Sequence, residues 1–185
     1  MDWGTTNVLV TSSGGIQVFR PGDSGGPLTL LKEVAADETG AALRLNGRFT
    51  DQIAFSADGT LAFIAAANGN IYVFDTQTEV VTYTLHVAGN TAGRGTPLSS
   101  LCVAGDWLYA TERGSASSAT ARLMRIKVDP RDQHFLTEQQ SVKFGADAPQ
   151  GFMDMAVSSG SYLALTAPVM PDAISLHGVR EFPCG

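Results

Sequence analysis

The chain has 185 residues, of which 44% are apolar and 16% charged, and its 12 basic and 18 acidic residues give a net charge of −6. This apolar content is sufficient for a folded core and excludes a disordered or collagen-like chain. The acidic balance, without any run of Lys or Arg, argues against a nucleic-acid partner. No stretch reaches the roughly 18 apolar residues of a membrane span.

The first element in chain order is a predicted β-hairpin over 8–19, in which two apolar strands flank a turn containing Gly14 and Gly15. A similar hairpin is predicted over 63–74. The last apolar positions of four such hairpins, separated by 55, 54 and 54 residues, are Phe19, Phe74, Val128 and Phe182. A nearly constant interval of this length indicates a structural repeat.

Further strands recur around each hairpin. An apolar strand precedes the hairpins at 52–56, 100–104 and 154–158, and another follows them at 28–34, 80–86 and roughly 135–142. The repeating unit is therefore four short antiparallel strands, named A to D in chain order. No segment shows a sustained 3.6-residue apolar period, and 35–42 is the one segment compatible with a short helix.

A four-stranded unit cannot bury both faces of its sheet alone, and radial stacking of such units solves that problem. The sequence therefore predicts an all-β partial β-propeller of about four antiparallel blades in a single segment over 1–185. The predicted blades, the first and last of them incomplete, are 5–34 (strands B–D), 52–86, 99–142 and 153–183 (strands A–C). A β-sandwich with coincidentally similar hairpins is the alternative.

One repeat carries a family resemblance. The segment 55–63, with its Ser56-Ala57-Asp58-Gly59 turn, and the run Asn68 to Thr76 are similar to a blade of the YVTN/WD40-like propeller superfamily. In those blades this turn joins strands A and B, and an Ile-x-Val-x-Asp run forms strand C. The Gly-His and Trp-Asp pairs of true WD repeats are missing, and Phe74-Asp75 stands where Trp-Asp would be. The match is good over 52–86 and implies the fold rather than the function.

The predicted blades hold three, four, four and three strands, fewer than a ring of six to eight four-stranded blades needs. Such a stack would expose an apolar face at each end. We expect half a propeller, completed by another chain, by self-association or by a missing part of the same polypeptide. A small four-bladed ring that takes a strand from elsewhere is the alternative.

The string Gly22-Asp23-Ser24-Gly25-Gly26-Pro27 spells the nucleophile loop of chymotrypsin-like serine proteases. In that family the catalytic His and Asp precede the Ser, but here only 23 residues precede Ser24 and none of them is His. The string also falls on the predicted C–D connection of the first blade, where Gly, Asp and Pro are typical turn residues. We therefore interpret it as a turn and expect no catalytic residue there.

Propellers usually bind through the face that carries the D–A and B–C connections. The long loops predicted at that face supply the candidate binding residues, which are Arg94, Arg113, Val169 and Met170. The three histidines form no evident cluster, and the spacing of Cys102 and Cys184 does not match a zinc site. No metal and no cofactor are expected. The aspartates Asp58, Asp75, Asp106 and Asp129 are expected to cap turns.

The sequence favours a noncatalytic scaffold that presents a rigid surface to a protein partner. One alternative is an enzyme resembling the lactonase-type YVTN propellers, with Asp51, Arg94, Arg113 and Asp147 converging at the channel mouth. Another is a module of a large surface or adhesion protein. Met1-Asp2-Trp3-Gly4 lacks the pattern of a signal peptide, which favours the cytoplasm.

Overall fold

A computed structural model describes residues 7–45, 52–66, 68–87, 98–112, 122–143, 154–157 and 163–166. Their regular structure is β, apart from one 3-10 turn at Asp23–Gly25. The strands are β1 (Val8–Ser12), β2 (Gly15–Arg20), β3 (Thr29–Val34), β4 (Ile53–Phe55), β5 (Leu61–Ala65), β6 (Asn70–Asp75), β7 (Val80–His86), β8 (Leu98–Ala104), β9 (Trp107–Glu112), β10 (Arg122–Lys127), β11 (Glu138–Lys143), β12 (Asp154–Val157) and β13 (Leu163–Thr166).

The strands form four antiparallel sheets in which chain neighbours pair. The first sheet contains β1–β3, the second β4–β7, the third β8–β11 and the fourth, among the described residues, β12 and β13. The hairpins predicted over 8–19 and 63–74 are β1–β2 and β5–β6. Both therefore form as the glycine-containing turns and the apolar alternation predict.

The second sheet lies between the first and the third and is covered on both faces. Successive side chains of a strand point to opposite faces of its sheet. Ala62 and Ile64 of β5 accordingly join a core with the first sheet, whereas Phe63 and Ala65 join a core with the third. A strand that is apolar at every position thus reflects burial on both sides.

The same irregularity recurs in three sheets. In the first, second and third sheets, the last two strands shift register at a β-bulge, between Val18 and Phe19, between Val73 and Phe74, and between Arg125 and Ile126. The bulge fixes the equivalence of positions between sheets. Phe19, Phe74 and Ile126 follow it directly and occupy the same place in successive sheets. The sequence interval placed Val128 at this position, which is wrong by two residues, because β10 already ends at Lys127.

The innermost strands of neighbouring sheets lie side by side. β8 contacts β4 and β5 of the second sheet and β12 of the fourth. The side-chain Oε1 of Gln52, next to β4, accepts a hydrogen bond of 2.8 Å from the backbone N–H of Leu101 in β8. This serial stacking of more than two sheets excludes the alternative of a β-sandwich, which has only two.

Two further sequence expectations are wrong in detail. Residues 35–42 form a tight turn closed by an antiparallel bridge between Ala36 and Ala42, not a helix. The last strand of the third sheet begins at Glu138, because the apolar residues Phe135 and Leu136 lie in a turn in which Leu136 has a positive φ of 59°. No helix of the described residues is long and apolar enough to cross a membrane.

Candidate functional site

An uncovered apolar surface lies on the first sheet, on the side turned away from the second. Ile16, Val18 and Val34 are buried against the second sheet. The alternate residues point the opposite way, and four of them, Val8, Val10, Phe19 and Leu30, are here called the open face. Val8 and Leu30 are 36% and 49% exposed, and Phe19 is partly buried. Contiguous exposed apolar side chains are typical of an interaction surface.

Cross-strand pairing joins three residues of the open face into one row, and Val10 lies beside it, opposite Gln17. Val8 lies opposite Phe19, and Phe19 lies opposite Leu30. The equivalent row of the second sheet is Ala62, Phe74 and Val81, with the same pairing. The residues of that row are 0%, 0% and 4% exposed, because the first sheet covers them.

An apolar cleft of about 620 Å³ adjoins the open face at the end of the sheets that carries the tight turns. Its lining includes Leu9 of β1, Ile53 and Phe55 of β4, and Phe74. The first sheet has three strands where the second and third have four, and β1 is its edge among the described strands. The cleft therefore lies where β4 and β8, the innermost strands, lie in the other two sheets.

A second, polar cleft of about 240 Å³ lies at the opposite end of the sheets. It forms where the segment 35–45, which follows the first sheet, crosses the ends of β6 and β7. Glu38 fastens this segment, because its Oε1 accepts the Thr84 backbone N–H and its Oε2 accepts the Thr84 hydroxyl, each at 2.8 Å. The Tyr72 hydroxyl accepts the Arg44 N–H at 3.0 Å. Leu43 is buried below these bonds.

Asp37, Glu38 and Tyr72, three ionisable groups of the polar cleft, form hydrogen bonds that hold the fold. Asp37 Oδ1 accepts the backbone N–H groups of Thr39 and Ala41, at 2.9 Å each, and the Thr39 hydroxyl, at 2.7 Å. The Thr39 hydroxyl bond is the main cause that lowers the pKa of Asp37. Burial raises the pKa of Tyr72. His86 Nδ1 lies 3.3 Å from Asn70 Oδ1. This arrangement supports structure rather than acid–base catalysis.

Three of the four turn aspartates cap turns as expected. Asp58 Oδ1 accepts hydrogen bonds from the hydroxyls of Ser56 and Thr60 and from the Thr60 N–H. Asp75 accepts the Gln77 and Thr78 N–H groups, and Asp129 accepts the Arg131 N–H. Asp106 differs, because its carboxylate forms an ion pair with Lys127 Nζ at 3.3 Å.

The Gly22–Pro27 string lies between β2 and β3 and contains the 3-10 turn. A Cβ on Gly22 would lie 2.8 Å from the Pro27 carbonyl oxygen, and Gly25 has a φ of 84°, so the loop itself requires both glycines. Of the two described histidines, His86 lies at the opposite end of the sheets, and His134 Nε2 contacts the Gln133 amide. The protease-like string is therefore explained by loop geometry.

The candidate residues taken from the sequence lie outside the described residues. They are Arg94, Arg113, Val169 and Met170, and the same holds for Asp51 and Asp147, which the enzyme alternative invokes. The base of the loop that contains Arg113 is described. There Arg122 donates from Nη2 to Glu112 Oε1 at 2.8 Å and from Nε to Glu112 Oε2 at 3.1 Å.

Sequence reasoning missed the residues that form the two clefts. The contact of Glu38 with Thr84 joins residues 46 apart, and that of Arg44 with Tyr72 joins residues 28 apart. Neither pair has a local signal. The exposed apolar end of the stack was expected, however, and the open face is such an end. In the described part of the chain, no three His, Cys, Asp or Glu side chains are grouped as metal ligands.

Comparisons with known proteins bear on the fold. Neither a scan against protein-family models nor a search of curated proteins found a match. Among solved structures, the chain is similar to Sqt1 from Chaetomium thermophilum, with a TM-score of 0.56 and 16% identity over 87% of this chain and 38% of that one. Sqt1 from Saccharomyces cerevisiae gives 0.51 and 15% identity over 89% and 38%.

The β-propeller domain of Cps50 (Swd1) from Myceliophteria thermophila aligns with a TM-score of 0.46 and 12% identity, over 66% of this chain and 34% of that one. The chain thus spans between a third and two fifths of the length of these structures. The Sqt1 structures are WD40 β-propellers. Together with the serial stacking of antiparallel sheets, this likeness shows that the chain has an all-β fold that corresponds to part of a WD40-like β-propeller.

Proposed function

We propose that the chain is a noncatalytic protein-interaction scaffold that binds its partner at the first sheet. The observation that carries the proposal is the contrast between two equivalent rows. Val8 and Leu30 of the open face are exposed, whereas Ala62 and Val81 at the same positions of the second sheet are buried. Burying such a row against another protein is favourable, because the gain is proportional to the apolar area removed from water.

The apolar cleft supports the same surface. Phe55 is exposed on its wall, and the cleft occupies the place of an innermost strand. A partner that also supplies a strand beside β1, where the first sheet lacks the equivalent of β4, would therefore cover Phe55. The residues of the predicted long loops, namely Arg94, Arg113, Val169 and Met170, remain candidate contacts of the same scaffold. Within the WD40-like group, the Ser56-x-Asp58-Gly59 turn favours a YVTN-like relative.

The chemistry of the described side chains supports a role without catalysis. Glu38 and Asp37, the acids of the polar cleft, accept hydrogen bonds that fasten their own segment. A general acid or base must instead present its carboxyl group to a substrate. We therefore assign binding to the open face and structural support to the polar cleft.

Site-specific photo-crosslinking tests the proposal. A benzophenone amino acid replaces Phe19 in the open face, and in a matched control it replaces Tyr83, an aromatic residue that is 46% exposed on β7. We expect one identified polypeptide to be crosslinked from position 19 and not from position 83. The crosslink should disappear when Leu30→Glu is added. Equal crosslinking from both positions, or a crosslink that survives Leu30→Glu, would contradict the proposal.

A further inference from the structure

The open face repeats a surface that the chain already uses for stacking. In the second sheet, Ala62 and Phe74 pack against the first sheet, and the equivalent Leu108 and Ile126 of the third sheet pack against the second. All four are essentially inaccessible to solvent. The equivalent positions of the first sheet are Val8 and Phe19, and no described sheet lies over them.

The chain also shows what covers this kind of surface. The first sheet covers the second with Leu9 of β1, Ile16 and Val18 of β2, and Val34 of β3. These are aliphatic side chains on one face of an antiparallel sheet. The second sheet covers the third with the equivalent face, which presents Phe63, Ile71 and Val73. The covering surface is therefore one face of another sheet built from the same repeat, namely the face that is turned towards the following sheet in the stack.

We propose that the open face binds a second copy of this chain in a head-to-tail arrangement. This inference rests on the proposed function and names the partner of that surface. Each copy would present a sheet to the first sheet of the other, so that the stacking seen within the chain continues between chains. A head-to-tail contact closes into a ring when its rotation allows. Two copies of the four described sheets give eight, and propeller rings hold about four to eight.

The net charge of the chain opposes this association and predicts how the association depends on salt. Each copy carries a net charge of −6, so two copies repel one another at low ionic strength. The open face consists of the apolar side chains Val8, Val10, Phe19 and Leu30, and the exposed Glu33, which strand alternation places on the same side of the sheet, adds to the repulsion between two acidic copies. Added salt screens the repulsion and leaves apolar burial in place. We therefore expect the pair to become tighter as salt is raised.

Sedimentation equilibrium of the purified chain tests the inference. The chain has a mass of 19.4 kDa, and we expect twice this mass to dominate at the upper end of a series from about 1 µM to about 100 µM, where micromolar interfaces assemble. Leu30→Glu and Val10→Glu should each shift the midpoint at least about tenfold to higher concentration. Val80→Glu, at an apolar position that is 41% exposed on β7, is the matched control and should leave the midpoint unchanged.

The outcomes separate this inference from the function it deepens. A monomer throughout the series would overturn self-association, and so would a pair that persists in Leu30→Glu with an unchanged circular dichroism spectrum. A mass that keeps rising beyond two copies would overturn the closed pair. If the chain is monomeric but position 19 crosslinks a different polypeptide, the scaffold function stands and only the identity of the partner is wrong. A monomer without any crosslink contradicts both.

Discussion

Phe19 and Phe74 occupy the same register position in consecutive sheets, each directly after a β-bulge, yet Phe74 is fully buried and Phe19 is not. The difference does not come from the residues, which are identical. It arises because one sheet has a neighbour on that side and the other has none among the described residues. A comparison of these two phenylalanines therefore shows how much the stability of the chain gains when a neighbouring sheet covers the side chain.

Phe74→Ala should cost about 3–5 kcal/mol of unfolding free energy, because it leaves a cavity between two sheets. Phe19→Ala in a dilute, monomeric sample should cost only about 1 kcal/mol, since the side chain there is partly solvated. Urea denaturation of both variants measures the difference. Equal losses would show that Phe19 is already covered in the isolated chain.

Gly15→Ala should destabilise the first sheet by about 1–3 kcal/mol, the usual cost of forcing atoms into an occupied site. A Cβ at Gly15 would lie 2.3 Å from the backbone oxygen of Val34, and the φ of 152° is unfavourable for other residues. Gly14→Ala is the matched control, because its Cβ would meet only side-chain atoms, Glu33 Oε1 at 3.3 Å and Ser12 Oγ at 3.8 Å. Thermal unfolding compares the two, and similar melting temperatures would refute this role of Gly15.

Glu38→Ala should loosen the segment 35–45 from the second sheet. Thr84 is buried and would lose the acceptor of its N–H and of its hydroxyl, at a cost of about 1–3 kcal/mol. Hydrogen exchange at the Thr84 amide should therefore accelerate. Glu33→Ala, which removes an exposed carboxylate from β3, should leave it unchanged. Retained protection at Thr84 in Glu38→Ala would contradict the fastening role.

Acid should destabilise the protein through its turn aspartates. Hydrogen bonds from the Ser56 hydroxyl, the Thr78 N–H and the Arg131 N–H are the main causes that lower the pKa of Asp58, Asp75 and Asp129, respectively. In the unfolded chain an Asp titrates near about 3.9, so the unfolded state binds protons first as the pH falls. The contribution of these aspartates to the free energy of unfolding is complete above a pH of about 3.9. It is lost as the pH falls through the lower pKa of the folded state.

Asp58→Asn isolates one of these groups, because the amide oxygen still accepts hydrogen bonds but does not titrate in this range. Urea midpoints should fall less steeply below about pH 4 in this variant than in the wild type. Identical slopes would show that the Asp58 turn does not contribute to acid sensitivity.

Fluorophosphonate reagents should not label Ser24. The glycines around it satisfy the geometry of a connecting loop, and His86 lies at the far end of the sheets. Intact-mass spectrometry of the treated protein checks this directly. An adduct that disappears in Ser24→Ala would reinstate a nucleophile in this loop.

The stacked sheets could be predicted from the sequence because their signals are local. Gly14 and Gly15 mark one hairpin, Asp58 and Gly59 mark a turn, and the repeat interval aligns Phe19 with Phe74. Local signals failed where the same residue type is compatible with two different structural elements. Leu136 is apolar like a strand residue, but it packs into the core from a turn. Asp37 closes a tight turn in a segment whose alanines are compatible with a helix.

The candidate site was less accessible to such reasoning. The uncovered end of the stack follows from counting strands, so its existence was expected. Its position could not be derived, because the same alternation of Val8 and Leu9 describes a covered and an uncovered face equally well. Contacts such as that between Glu38 and Thr84 depend on how one repeat lies against the next, and single-repeat patterns do not contain that information.

The bulge that recurs after Val18, Val73 and Arg125 determines how the sheets can assemble. An extra residue in one strand increases the local right-handed coiling of its pair. Three units that coil alike at the same point can be superposed by repeating one rotation. A polypeptide that continues this stack would therefore need sheets that coil in the same way at the same register position.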